Sequence, residues 1–95
     1  MQREELQYRA NRAMRLAQQA GRNVERSLDM GDEATAQTWL REELHHWYRH
    51  YAISAKLCEI DGAWKESITW RRLAAQTRRE LRKYDHSSRF AVYMP

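Results

Sequence analysis

Gly31, in "LDMGDEA", and Gly62, in "EIDGAW", each stand beside an aspartate and each fall between long helical patterns. Glycine tolerates the left-handed conformation that ends a helix, and an aspartate there can cap the next one. With only 3 Gly and 1 Pro, the chain has too few turn residues for a strand-rich fold. Ala, Leu, Arg, Glu and Gln fill the intervals and favour helix. The reading is all-α, with helices over about residues 4–29, 33–60 and 63–84. A chain of 95 residues makes a single domain, residues 1–95. Links this short make successive helices antiparallel, so a compact three-helix antiparallel bundle is expected.

The apolar positions order the three helices. In helix 1, Leu6, Ala10, Ala13, Met14, Ala17, Ala20, Gly21, Val24 and Leu28 recur at steps of three and four, marking one buried face with arginines on the others. Gly21 costs about 1 kcal/mol inside a helix; close packing against an aromatic side chain would account for it. Helix 2 has two stripes. One holds Ala36, Leu40, Leu44, Trp47, Tyr51, Ala55 and Cys58. The other holds Trp39, His46, His50, Ile53, Leu57 and Ile60. A helix apolar on two sides has two neighbours, so helix 2 is placed at the centre. In helix 3 the inward face reads Ala63, Trp70, Ala74, Thr77, Leu81 and Tyr84.

The stretch "WLREELHHWYRHY", residues 39–51, resembles a crowded active site. Wound as a helix, it separates into the two stripes and a thin polar edge of Arg41, His45 and Arg49. Glu42, His46 and His50 rise at steps of four, but zinc-protease helices put Glu beside the first His, and no neighbour completes a ligand set. Cys58 lies on an apolar stripe, where thiols are inert. The three adjacent carboxylate pairs suit helix starts or exposed edges. There is no phosphate-binding glycine loop and no nucleophile elbow. No catalytic residue, metal or cofactor is assigned, and the chain reads as a non-enzyme.

A single cysteine, an N-terminal "MQREELQYRANR" without an apolar run, and no stretch of membrane-spanning length point to the cytoplasm. The formal net charge of +4 admits acidic partners of either kind, protein or nucleic acid. The outer face of helix 3 gathers Arg71, Arg72, Arg78, Arg79, Arg82 and Lys83, with Trp64 and Ile68 among them. Trp and Arg together anchor interfaces. Helix 3 is expected to stop near Tyr84, because His86, Ser87 and Ser88 break its periodicity. Residues 85–95 then form a short non-helical tail. It either folds back on the bundle or binds a partner, with Phe90 and Tyr93 as contacts.

The expected function is a small interaction module that docks on a larger protein with an acidic surface and modulates or inhibits it. By analogy, phage and mobile-element accessory proteins share this make-up. The alternative is nucleic-acid binding, with the same basic face on phosphates. Homo-oligomerisation is a third arrangement the sequence allows.

Overall fold

The computed structural model describes the backbone of residues 2–93 and the side chains of residues 2–84. Three helices follow one another: α1 (Arg3–Asp29), α2 (Glu33–Ile60) and α3 (Trp64–Tyr93). α1 packs on α2 and α2 on α3, with no comparable contact between α1 and α3 among the described residues. α2 is therefore the central element of an antiparallel bundle measuring 51 × 24 × 20 Å.

Both turns follow from their glycines. Gly31 has φ +74° and Gly62 φ +76°. At the first turn, the N–H groups of Gly31 and Asp32 donate to the carbonyls of Leu28 (3.0 Å) and Ser27 (2.9 Å). At the second, Gly62 and Ala63 donate to Glu59 (3.2 Å) and Cys58 (2.8 Å). This paired pattern, the Schellman motif, satisfies carbonyls that a helix end leaves open. Asp32 then caps α2: its carboxylate accepts from the Thr35 backbone N–H (3.1 Å) and hydroxyl (2.6 Å). Asp61 acts differently. It accepts two bonds of 2.9 Å from the Arg3 guanidinium, tying the start of α1 to the α2–α3 turn.

The buried residues are small. Leu6, Ala10, Ala13, Ala17, Ala20 and Ser27 form the inner face of α1. Ala36, Ser54, Ala55 and Leu57 are buried on α2, and Ser67, Ala74, Thr77 and Leu81 on α3. The alternating steps of four and three along α1 make a coiled-coil-like seam, and its alanines let the α2 backbone come close.

Larger side chains flank this seam half-buried. Trp47 stacks on Tyr51 (5.8 Å) and Tyr51 on Trp70 of α3 (5.9 Å). His50 meets Trp70 edge-on at 5.6 Å. Its Nδ1 lies 2.9 Å from the Ala10 carbonyl of α1, so that nitrogen carries the proton and donates.

The structure alters three expectations. The third helix does not end near residue 84 but runs to Tyr93, so residues 85–93 are not a non-helical tail. His, Ser and Ser are weak helix formers rather than breakers. Whether that segment contacts the bundle lies outside the described side chains. The group nearest Gly21 is not an aromatic ring but the Glu43 carboxylate: a Cβ there would lie 3.0 Å from it, and it accepts from Trp47 Nε1 at 3.2 Å. Leu28, Trp39, Leu40 and Ile60, assigned to inward stripes, are exposed, because the seam is narrower than the apolar stripe. Ala36 and Leu40 line a cleft with Val24 and Leu28 of α1.

Opposite effects are expected at two glycines. Gly62→Ala has open space but positive φ, and should cost roughly 1–2 kcal/mol. Gly21→Ala needs only a small shift of a flexible carboxylate and should stabilise by up to about 1 kcal/mol. Ala17→Leu, at a fully buried seam position, should cost about 1–3 kcal/mol by overpacking. Urea midpoints of the three variants check all three signs.

Candidate functional site

The outer face of α3 starts at the second turn. Trp64 and Ile68 sit one helical turn apart and are 64% and 51% exposed. Neighbours at that spacing on a helix touch the same patch. Ile60, at the end of α2, is 51% exposed as well. Arg72, Arg78, Arg79, Arg82 and Lys83 continue the face, all exposed. From Trp64 to Arg82 the helix rises about 27 Å. The same spacing turns Glu66 and Glu80 onto a flank away from Trp64.

Arg71 belongs to a different arrangement. Its guanidinium pairs with Glu59 of α2, with Nε donating to Oε1 at 2.6 Å. Ser67, buried in the α2–α3 contact, donates to the same oxygen at 3.0 Å. The Arg71 and Ser67 bonds hold the Glu59 carboxyl below its ordinary pKa. Arg71 is therefore a clamp between helices rather than a free cation. Arg72, Arg79 and Lys83 make no hydrogen bond or ion pair among the described residues. Arg78 and Arg82 flank a groove of about 330 Å³ with His45, Tyr48 and Leu81, so α2 contributes to this basic surface.

The candidate residues do not form one cluster. Because α3 is continuous, Phe90 and Tyr93 lie about 39 and 44 Å along the axis from Trp64. Their side chains fall outside the described residues, and α3 does not carry them back over Trp64.

A second basic site joins residues that are distant in sequence. Arg9, Arg12, Ala13 and Leu16 of α1 face His46 and Arg49 of α2 across a cleft of about 530 Å³. Arg9 pairs with Glu5 at 3.0 Å. His46 Nδ1 is buried without a hydrogen-bond partner among the described residues, while Nε2 lies 3.7 Å from Glu42. Burial pushes the His46 pKa down, Glu42 opposes that, and Arg49 and His45 add to it. Sequence reasoning placed these arginines on solvated backs and edges, since only the α1–α2 register brings them together.

The paired histidines divide. His50 is committed to Ala10 and Trp70, while His46 faces the basic cleft. Among the described residues no group of three or more His, Cys, Asp or Glu side chains could hold a metal ion. None of the helices described is long and apolar enough to cross a membrane. No protein-family profile matches the chain, and no curated protein and no solved structure matches it either.

Acid should destabilise the fold in two windows. Folded His46 titrates below its ordinary 6.5, so the unfolded chain takes up a proton first and stability falls as pH drops below that value. Glu59 and Asp61 titrate below 4.5 and 3.8; their contribution is present above those values and lost as pH falls through the folded pKa. Urea midpoints measured against pH should show both declines, with Glu59→Gln reducing the lower one.

Proposed function

We propose that this chain is a non-enzymatic interaction module of the cytoplasm that docks on, and modulates or inhibits, a larger protein with an acidic surface. The observation that carries the reading is the exposure of Trp64 and Ile68 on the face that Arg72 and Arg79, without a partner among the described residues, continue. An exposed tryptophan on a face that also presents arginine has the composition of an interface anchor. In this reading Trp64 and Ile68 fill an apolar pocket of the partner. Arg72 meets a carboxylate at its rim, Arg79, Arg82 and Lys83 meet carboxylates farther along the partner's surface, and Arg71 keeps α3 in place through Glu59.

Affinity capture from the native cell followed by mass spectrometry should identify one partner with an acidic patch. Titration of that purified partner should then show Trp64→Ala/Arg79→Glu weakening binding by about 30-fold or more, with the helical circular dichroism unchanged. Equal affinity of the double variant would remove the proposed surface. Binding of generic duplex or single strands that falls steeply with salt and is lost in Arg78→Glu/Arg82→Glu would instead assign the face to nucleic acid.

A further inference from the structure

The cleft between α1 and α2 holds more positive charge than its surroundings neutralise. Three guanidinium groups line it: Arg9 and Arg12 at adjacent turns of α1, and Arg49 of α2. Arg9 has Glu5 as its partner. Arg12 and Arg49 have no hydrogen bond or ion pair among the described residues. The other nearby carboxylate, Glu42, approaches His46 rather than an arginine. Like charges turned toward one recess repel, and an anion placed between them relieves that repulsion.

The donor set narrows the anion. Guanidinium forks bond planar or tetrahedral oxyanions in pairs, and two forks approaching from different helices are met better by the non-coplanar oxygens of a tetrahedral anion than by one planar carboxylate. A phosphate group has them. The volume of about 530 Å³ exceeds what bare phosphate needs and falls within the roughly 300–1000 Å³ of small-ligand sites. Ala13 and Leu16, the latter 39% exposed, supply an apolar wall for an attached organic group.

We propose that the α1–α2 cleft binds a phosphate group, with Arg12 and Arg49 as its principal ligands and Arg9 and His46 at its edge. The phosphate belongs to a phosphorylated small molecule or to a nucleic-acid strand; the recognition chemistry is the same, and ligand size separates the two. This site is distinct from the outer face of α3 and does not depend on the function proposed for that face.

His46 provides a local readout. The charged groups facing it are Arg9 and Arg12 from α1, and Glu42, His45 and Arg49 from its own helix. Burial is the main reason its pKa is low, and of these groups only Glu42 favours its protonation. A bound phosphate adds negative charge beside the ring and raises that pKa.

The full chain should be titrated at low salt with adenosine monophosphate, inorganic pyrophosphate and a short single-stranded oligonucleotide. Calorimetry would measure affinity, and nuclear magnetic resonance the His46 titration. Saturable binding of at least one probe is expected, with an upward shift of the His46 pKa. Affinity should fall about tenfold or more in Arg12→Gln/Arg49→Gln, and less in Arg12→Lys/Arg49→Lys. Both arginines are exposed, so circular dichroism should show either variant folded. Trp64→Ala/Arg79→Glu should bind as the parent does. Binding of either small phosphate compound assigns a small-molecule ligand, and binding of the strand alone assigns nucleic acid. No saturation by any probe, or undiminished affinity in the glutamine variant, overturns the proposal.

Discussion

The alanine seam of α1 is the constraint on which the remaining structure depends. Ala10, Ala13, Ala17 and Ala20 carry almost no side-chain volume, so α1 and α2 can meet nearly backbone to backbone. Each such contact removes little apolar area from water. Length compensates: the seam extends from Leu6 to Ser27. Close approach also leaves no room for large side chains at the centre. Trp47, His50, Tyr51 and Trp70 therefore gather beside the seam, half-buried, where they bridge α2 to α3.

That crowding settles the roles of the polar groups near the centre. His50 reaches both neighbours of α2, donating to a carbonyl of α1 and packing against a tryptophan of α3. Glu43 fits against α1 because Gly21 has no side chain, and there it accepts from Trp47. At the second turn, Arg3–Asp61 and Arg71–Glu59 tie α1 and α3 to the end of α2. Exposed ion pairs contribute little individually. Their value here is orientation, since they set where the outer face of α3 begins.

A narrow seam also explains why the surface is rich in unusual features. Residues just off the seam cannot enter it, so they line clefts between helices. Arg9, Arg12, His46 and Arg49 form one such cleft, and His45, Tyr48, Arg78 and Arg82 another. Leu28, at the end of the seam, remains exposed for the same reason, while Met30 lies in the turn after α1 and Trp64 and Ile68 on the outer face of α3. A monomer of ordinary packing would cover more of them.

The number of helices, their two turns and the central position of α2 were legible in the order of residues. Each rests on local chemistry: Gly31 and Gly62 where only positive φ closes the helix end, Asp32 where a cap is needed, and two apolar stripes on one helix. The exposed pairing of Trp64 with Ile68 was legible too, because both lie opposite the face containing Ala74, Thr77 and Leu81. Other properties needed the helices in register. Arg71 was indistinguishable from its neighbours until Glu59 lay beside it, and the arginines of α1 looked solvated until Arg49 faced them. The passage of α3 through His86, Ser87 and Ser88 to Tyr93 was hidden for another reason: weak helix formers lower propensity without forbidding the helix. Periodicity assigns a residue to a face of its own helix. Which charges share a cleft depends on the rotation and translation of two helices against each other, and that is set by packing along the whole seam.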